Sequence, residues 1–358
     1  MLKTKLITKQ TDFIALGQKW NSLLQKSAAD NIFLTWEWIS NWWKIFGFGK
    51  ELRIPVFYQN SELVGMVPLY IRKRRLAGTL PLREICFLGC GETVRSDYMD
   101  IISLPKYRNE CRDALLDYLI QDRTWDIANF KDLRDGSSLL SAWPKQGLKI
   151  RKIEEELCYY VKMPASYDDY LSRLGAKMRR NIRNRQRNLE RDFTSVEFRV
   201  LQDREDLANW MEIFKSLHMK RMSGKGLAGK FSIDDYDHFH TLISEKFFDK
   251  GWLFAADLRL DGKPIACRYN FIYNNKIYDY QTGFDPHFGR NGVMQALISY
   301  IIDYAIRENI REFDFLAGED DYKRRFANAQ RKISTLKLLN NTTRGKVYSG
   351  LQKIKRIL

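Results

Sequence analysis

The stretch DFLAGEDDYKRRFA, residues 314–327, brings reactive side-chain types together after a short predicted strand. Glu319 or Asp320 could accept a proton from an amine, as carboxylates do when they act as general bases. Lys323 could stabilise a developing oxyanion or hold a phosphate, and Tyr322 could donate a proton to a leaving group. These four residues are our candidate catalytic set, with a charged loop that faces solvent as the alternative.

The stretch QTGFDPHFGRNGVMQALISYIIDYA, residues 281–305, predicts a strand, a glycine-containing turn and a long helix that begins near Gly292. A helix N-terminus exposes unpaired N–H groups and the positive end of the helix dipole, so it suits phosphate. We therefore predict a phosphate-binding turn, with an ordinary strand–helix connection as the alternative. Its residues are Gly289, Arg290, Asn291, Gly292 and Val293.

A basic run, KMRRNIRNRQRNLER at residues 177–191, contains seven Lys or Arg residues and one acidic residue. Apolar residues recur at helical spacing before and within it, and they predict one amphipathic helix over 168–191, interrupted at Arg185. A phosphate-binding wall of a substrate cleft is our hypothesis, and a nucleic-acid-binding helix or a solvated basic face are the alternatives. The predicted substrate-binding residues on its polar side are Arg180, Arg183 and Arg187.

Positive charge is concentrated in two places along the chain. The 358 residues carry a net charge of +16, and residues 322–358 alone contain eleven basic residues and no Asp or Glu. Because the chain outside this segment and the basic run is nearly balanced, we expect local contacts with polyanions rather than a wholly basic scaffold.

Several classes of protein are disfavoured by what the sequence lacks. The five cysteines are scattered and fit a reducing cytoplasm. No run of 18 apolar residues and no signal-peptide core occurs, so we expect a cytoplasmic protein. The four histidines lack metal-ligand spacing, and neither a serine-hydrolase elbow nor a Walker loop is present. We therefore expect no metal.

Two predicted hairpins, over 54–71 and 252–273, align at a constant offset that places Asn60 on Asp261. Each is followed by a long predicted helix and a short Asp-bearing strand, WDIANF in the first half and EFDFLA in the second. We therefore predict an internal duplication of one α/β unit.

The predicted fold class is α/β (α+β), with mixed, mainly antiparallel central sheets flanked by helices. A chain of this length predicts two domains, and we place them at 1–165 and 166–340, with the site in the second. Residues 341–358 form a basic tail with apolar residues at helical spacing. The tail predicts either an amphipathic helix on an anionic membrane or a helix docked on the body.

Three stretches occur in an order that resembles a known family. They are FLTWEWISNWWKIFG, KMRRNIRNRQRNLER and FDFLAGEDDYKRRFA. Together, over roughly residues 10–340, the chain resembles the CelD/FemAB-like branch of the GNAT acyltransferase superfamily, including its cellulose-biosynthesis CelD type. The resemblance implies two tandem GNAT-like units and transfer of an acyl group to an amine or hydroxyl of a cell-envelope or polysaccharide precursor.

The resemblance also implies roles for particular residues. The donor carbonyl would lie against the strand around 278–284, its phosphates would meet the turn at 289–293, and Lys323 would support the transition state. Tyr280 and Asp314 would contact the substrate. Acyl-CoA is the expected co-substrate, although Met294 stands where the acyl-CoA motif has Gly or Ala, and an aminoacyl-tRNA is the alternative donor.

The expected partners follow from these alternatives. They are a phosphate-bearing small molecule or lipid-linked sugar, a tRNA if the donor is an aminoacyl-tRNA, and a membrane surface if the tail lies on one. Two hypotheses of another class remain at this point, a nucleic-acid-binding protein and a non-catalytic GNAT-like assembly protein.

Overall fold

The computed structural model describes residues 2–76, 80–91, 93–141 and 148–354. The chain separates into two compact units. The first unit comprises Met1–Glu156 and Lys332–Leu358, and the second unit comprises Leu157–Arg331.

This division differs from the domains 1–165 and 166–340 expected from the sequence. The boundary falls earlier, within a long strand, Lys149–Lys162. The segment from Lys332 onward returns to the first unit because its residues 333–339 pair with a first-unit strand.

The elements of the first half alternate short strands with three helices. In chain order they are β1 (Lys3–Ile7), α1 (Gln10–Leu24), α2 (Trp36–Phe46), β2 (Glu51–Leu52), β3 (Ile54–Gln59), β4 (Glu62–Met66), β5 (Leu69–Leu76), β6 (Leu80–Phe87), β7 (Ile102–Ser103), α3 (Arg108–Gln121), β8 (Ile127–Arg134) and β9 (Lys149–Lys162).

The remaining elements contain the long helices of the second unit. In chain order they are α4 (Tyr167–Arg173), α5 (Ala176–Asp192), β10 (Val196–Val200), α6 (Leu207–Ser223), α7 (Asp234–Asp249), β11 (Leu253–Leu260), β12 (Lys263–Tyr273), β13 (Lys276–Phe284), α8 (Val293–Arg307), β14 (Glu312–Ala317), α9 (Asp321–Phe326), β15 (Ala329–Leu339) and α10 (Thr343–Ile354).

Within the first unit, one antiparallel sheet has the strand order β1-β3-β4-β7. A second set of strands has the order β15-β8-β6-β5-β2, in which only the β6–β8 neighbours are described as parallel. The sequence predicted one strand over 63–71, but the chain leaves the ladder at Val67 and Pro68 and enters a different sheet. Pro68 has no N–H to donate, which is the physical reason for the split.

Within the second unit, the strand order is β10-β11-β12-β13-β14-β9. The β13–β14 pair is parallel, and the other described pairs are antiparallel. Helix α6 contacts β12 and β13, while α8 contacts β11, β12, β14 and α5. The predicted fold class, mixed and mainly antiparallel sheets flanked by helices, is confirmed.

Both units repeat one order of connections. In the first unit the antiparallel β5–β6 pair is followed by α3 and by β8, which is parallel to β6. In the second unit the antiparallel β12–β13 pair is followed by α8 and by β14, which is parallel to β13. This shared order agrees with a duplicated α/β unit. The matching pairs are β5–β6 and β12–β13, however, because the β3–β4 hairpin that the sequence aligned with β11–β12 lies in a separate sheet.

The prediction of a single helix over 168–191 is wrong, because the structure has two helices there. The chain is extended at Leu174 and Gly175, so α4 and α5 are separate helices. Ile182 and Leu189 of α5 are each 1% exposed and anchor the helix to the core of the second unit. The amphipathic character predicted for the basic run therefore holds for α5.

The described part of the basic tail forms α10. Tyr348 packs against Leu82, Ile127 and Leu339 of the first unit. The preceding Thr342 hydroxyl donates a hydrogen bond of 2.6 Å to Asp126. The helix is therefore docked on the first unit through this side. Among the described residues, no helix is long and apolar enough to cross a membrane.

An ionic network in the first unit joins the exposed Arg95 to three carboxylates, two of them buried. Its guanidinium donates hydrogen bonds to Asp97, Asp132 and Glu156 at 2.9, 2.8 and 2.6 Å. Burial, and then the neighbouring Asp97 carboxylate, raise the pKa of Asp132 from 3.8 to about 6. Between these two values the folded protein holds a proton that the unfolded chain has released.

We therefore predict that the unfolding free energy of the wild type falls, relative to Asp132→Asn, as the pH rises from about 4 to about 6. The asparagine keeps an acceptor for Arg95 and tolerates the positive φ of this position. Urea unfolding across this pH range, followed by tryptophan fluorescence, measures the difference. Asp135→Asn, at an exposed neighbour, should retain the wild-type pH dependence, and parallel curves for wild type and Asp132→Asn would contradict the prediction.

Candidate functional site

The parallel strands β13 and β14 are paired over only part of their lengths. The described ladder joins Lys276 to Glu312, Ile277 to Phe313 and Tyr278 to Asp314, and it ends there. Strand β13 nevertheless continues to Phe284. From Asp279 to Phe284, the edge of β13 is therefore not joined to β14 in the described pairing. We call this stretch the interval between β13 and β14.

Backbone irregularities lie on both strands where the ladder ends. On β13, Asp279 and Tyr280 stand opposite Asn270 alone, which makes a bulge against β12. On β14, Leu316 has a φ of +57°, and its N–H donates a 2.8 Å hydrogen bond to the Asp314 carboxylate. Both irregularities change the direction of side chains where the β13–β14 ladder ends.

A buried charge from β12 lies at this place. Arg268 is 2% exposed and forms an ion pair with Asp279 across the bulge. Its guanidinium lies 5.9 Å from the centre of the Tyr322 ring and interacts electrostatically with the phenol. The Arg268 Nε has no partner among the described residues. Arg268 thus links β12, β13 and the start of α9.

Burial and charge set the protonation of this group. Burial raises the pKa of Tyr322, and the Arg268 cation opposes that effect. Burial lowers the pKa of Arg221, at the end of α6, which interacts electrostatically with Tyr322, Arg268 and Asp279. Tyr322 is therefore a neutral phenol at pH 7, and two guanidinium groups would stabilise its phenolate form.

Lys323 follows Tyr322 and lies over the end of β14. Its side chain is 8% exposed, its ammonium donates a 2.6 Å hydrogen bond to the Ala317 carbonyl, and the Asp320 carboxylate is 4.0 Å away. Gly318 has a φ of +119°, and a Cβ there would lie 2.8 Å from the Lys323 nitrogen. Glycine is thus required for the chain to pass beneath the ammonium.

The other predicted residues of this region have different surroundings. Glu319 and Asp320 are exposed. Asp314 is fully buried, with the Arg331 guanidinium 4.0 Å from its carboxylate. Tyr280 lies in an aromatic cluster, 4.9 Å from Phe271 between ring centres. Asp314 therefore supports the bend of β14.

The predicted phosphate-binding turn is a helix start in the structure. Helix α8 begins at Val293, and Gly292 before it has a φ of +72°. Arg290 is exposed, whereas Val293 is buried. Arg185 of α5 fills the space that a Cβ on Gly292 would occupy, and its guanidinium lies 3.5 Å from the Arg290 carbonyl.

The three arginines predicted to bind substrate lie on the exposed side of α5. Arg183 is 3.9 Å from Asp168, and Arg187 donates a 2.6 Å hydrogen bond to Asn184. Arg180 is also exposed. Their described contacts are local, and their role in substrate binding stays a prediction.

Four residues of this region were missed by the sequence reasoning. Arg268 and Asp279 are lone charges in apolar strands joined by a tight turn, and that pattern was the available signal for a buried pair. Arg185 was treated as an interruption of an apolar stripe, yet it reaches the start of α8. Nothing in the local sequence marked Arg221. Within the described parts of the chain, no group of three or more His, Cys, Asp or Glu residues could hold a metal.

Comparison with known proteins connects this region to a family. Residues 176–324 match the model of a family described as "Acetyltransferase (GNAT) domain". The match begins with α5 and ends just after Lys323, so it contains the whole interval at β13 and β14. No curated protein matches the chain.

Three solved structures are similar over nearly the whole chain. FemX is 11% identical, with 93% of this chain and 96% of that chain covered and a TM-score of 0.60. The "C-terminal Domain (DUF2156) of Putative Lysylphosphatidylglycerol Synthetase from Agrobacterium fabrum" is 13% identical, with 94% and 96% covered and a TM-score of 0.54. A conserved protein of unknown function from Bacteroides thetaiotaomicron is 12% identical, with 95% and 100% covered and a TM-score of 0.54.

At these identities the structural likeness establishes a shared fold, and the family model adds the class of chemistry to the second unit. Residues 176–324 are therefore similar to an acetyltransferase (GNAT) domain, and the protein is an acyltransferase.

Proposed function

We propose that the second unit transfers an acyl group to an amine or hydroxyl of a cell-envelope or polysaccharide precursor, at the interval where β13 and β14 are not paired. The observation that carries this proposal is the position of Lys323 and Tyr322. A nearly buried ammonium and a neutral phenol, on adjacent residues, stand at the end of the partly paired strands.

Lys323 is the group suited to the oxyanion. When an amine attacks an acyl carbonyl, the carbonyl oxygen becomes negative in the tetrahedral intermediate. An ammonium held away from water and fixed by the Ala317 carbonyl can donate to that oxygen with little reorganisation. The exposed Asp320 or Glu319 carboxylate can accept the proton that the amine loses.

Tyr322 is the group suited to the leaving group. Its raised pKa keeps the phenol protonated at pH 7, so it can give a proton to a departing oxygen or sulfur atom. The phenolate that remains is stabilised by the neighbouring Arg268 cation, which acts to lower the pKa of Tyr322. When Tyr322 gives up its proton, the phenolate that forms therefore already has the Arg268 cation beside it.

The start of α8 is suited to the phosphates of the donor. The first N–H groups of α8, the exposed Arg290 and the guanidinium of Arg185 together give a positive surface around Gly292. These residues would hold the diphosphate of acyl-CoA or the phosphates of a tRNA end. The exposed arginines of α5 would then contact a phosphate of the acceptor.

A second candidate function is aminoacyl transfer from tRNA. A thiol has a pKa of about 8.5 and leaves readily as a thiolate, whereas a ribose hydroxyl is a much weaker acid and depends more on proton donation. A neutral Tyr322 backed by Arg268 suits the second case. The overall likeness to FemX and to the DUF2156 domain is compatible with this donor class.

The direct test is transfer of radiolabelled acyl groups from acetyl-CoA and from aminoacyl-tRNA to sugar amines and lipid-linked sugars, together with isothermal titration of each donor. Binding of one donor class with transfer to an amine or hydroxyl is the expected result. If neither donor class binds the full chain, the proposed function is wrong.

Lys323→Met should lower kcat by about 10²–10³-fold with a much smaller change in the KM of the donor. The methionine fills the same space but cannot stabilise the oxyanion. Steady-state kinetics with the donor that the wild type uses would measure the loss. Lys225→Met, at an exposed lysine of the same unit, should have wild-type kcat. A Lys323→Met enzyme with wild-type kcat would remove Lys323 from the mechanism.

Tyr322→Phe should distinguish the two leaving groups. The loss should reach about 10²–10⁴-fold for an oxygen ester and should be much smaller for a thioester, because a thiolate needs less protonation. Single-turnover transfer from an aminoacyl ester and from the matching thioester gives the comparison. Equal losses with both would show that Tyr322 does not protonate the leaving group.

Asp279→Ala should destabilise the second unit by about 3–5 kcal/mol, because it leaves the Arg268 charge buried without its partner. Replacing both residues, as Arg268→Met with Asp279→Leu, should recover most of that stability but not the activity. Urea unfolding and kinetics of the single and double variants provide the test. Recovery of activity in the double variant would show that Arg268 has only a structural role.

A further inference from the structure

The second unit contains a cavity of about 320 Å³ between the edge strand β10 and the first turns of α6. We call it the β10 cavity. It is lined by the end of β10 and the segment after it, by α6, and by Asp257 and Arg259 of β11. None of these lining residues belongs to the site proposed for acyl transfer. Its volume lies at the lower end of the range of small-molecule sites.

The sheet presents charged rather than apolar side chains to the β10 cavity. Arg199 of β10 stands opposite Asp257 of β11, and Arg259 lies two residues further along β11. Because side chains alternate along a strand, these three lie on one face of the sheet. Phe198, on the opposite face, packs against Tyr300 of α8 in the core. Two arginines from neighbouring strands therefore line one side of the cavity.

A buried carboxylate holds one of these arginines in place. Asp257 is 2% exposed, and its two oxygens accept hydrogen bonds from the Trp210 indole N–H at 3.0 Å and from the Arg259 Nε at 2.8 Å. Trp210 is itself stacked on Phe214, with ring centres 5.6 Å apart. The terminal N–H groups of Arg259 form no hydrogen bond with another described residue. Arg259 is therefore fixed through its Nε, and its terminal N–H groups stay available to a ligand.

The other charges of the lining have no side-chain partner in the part of the chain that the structure describes. They are Arg199, Asp203 and Asp206, and all three are exposed. Asp203 precedes the short helical turn 204–206 and Asp206 precedes α6, yet neither carboxylate accepts the capping hydrogen bond usual at such positions. Opposite charges thus line one cavity without pairing with each other, which leaves space for a ligand that contacts both.

The mixture of signs also restricts the kind of ligand. A simple anion that contacted Arg199 and Arg259 would be repelled by the carboxylates of Asp203 and Asp206, and a simple cation would be repelled by the guanidinium groups. A molecule with one group of each sign avoids both penalties. Guanidinium groups suit a carboxylate in particular, because their planar N–H groups can donate two parallel hydrogen bonds to its oxygens.

We propose that the β10 cavity binds a small zwitterion, a molecule that carries both a carboxylate and an ammonium group. The carboxylate would accept hydrogen bonds from Arg199 and from the terminal N–H groups of Arg259, and the ammonium would donate to Asp203 and Asp206. A free amino acid and a short peptide both present this chemistry. The proposal concerns binding alone and does not rest on the acyl-transfer proposal.

The first test is isothermal titration of the full chain with L-alanine and with two analogues that each lack one charge. N-acetyl-L-alanine keeps only the carboxylate, and L-alaninamide keeps only the ammonium. L-alanine should bind about tenfold more tightly than either, because each analogue loses one set of charge-assisted contacts. L-alanyl-L-alanine, titrated in the same way, shows which source of the zwitterion the cavity prefers, according to whether the dipeptide or the amino acid binds more tightly.

Variants of the lining should change this preference in opposite ways. Arg199→Gln should weaken binding of the zwitterion about tenfold and reduce its preference over L-alaninamide. The double variant Asp203→Asn/Asp206→Asn should weaken binding by a similar factor but reduce the preference over N-acetyl-L-alanine. A loss of folding would not produce this exchange of preferences. The three residues are exposed, so the replacements keep the core intact.

The matched controls make the same changes of charge outside the lining. Arg204→Gln removes an exposed arginine that pairs with Asp249, and Asp234→Asn/Asp235→Asn removes two exposed carboxylates at the start of α7. Both controls should bind L-alanine as the wild type does. Circular dichroism of each variant checks that the fold is retained.

Three outcomes would overturn the proposal. One is that neither L-alanine nor L-alanyl-L-alanine binds the full chain. Another is that N-acetyl-L-alanine or L-alaninamide binds as tightly as the zwitterion, since the cavity would then recognise a single charge. The third is that the control variants weaken binding as much as the lining variants do, which would show a diffuse effect of surface charge.

Discussion

The second unit depends on one buried cation, the guanidinium of Arg268. Removing a cation from water costs several kcal/mol even after the protein relaxes, so an opposite charge must lie beside it. Asp279 provides that charge from a bulge in β13, at the place where the described ladder to β14 ends. The same guanidinium lies beside the Tyr322 ring, near the start of α9 and next to the catalytic candidate Lys323. A single desolvated charge therefore connects the shape of the sheet to the placement of the catalytic candidates.

The end of β14 shows a related constraint. A leucine with a positive φ costs about 1–3 kcal/mol, and it persists here because Asp314 accepts a hydrogen bond from the Leu316 N–H. Two residues later the chain passes beneath the Lys323 ammonium at Gly318. Strain and a required glycine thus lie at the same strand end as the ammonium. Such departures from regular strand geometry are typical of sites where side chains must converge.

The sequence predicted those parts of the fold and site that depend on local pattern. The mixed α/β fold followed from hairpin spacing and helical periodicity, and the start of α8 was expected near Gly292, next to its observed position at Val293. The single helix over 168–191 failed because periodicity does not show that the chain becomes extended at Leu174. Arg268 and Arg185 were missed for a different reason, since each acts through residues distant in sequence. A pattern of charges does not show which of them the fold will bury together.

The two units share an order of connections, but a buried ion pair of each has different surroundings. In the first unit Arg72 of β5 pairs with Glu84 of β6, as Arg268 of β12 pairs with Asp279 of β13. Asn129 of the parallel strand β8 also donates to Glu84, and the described β6–β8 ladder continues past Glu84 to Cys86. In the second unit the described β13–β14 ladder stops before Asp279, and Arg268 lies beside the ring of Tyr322, the residue before Lys323. A similar ion pair thus lies within a continuing ladder in the first unit and beyond the end of the described ladder in the second.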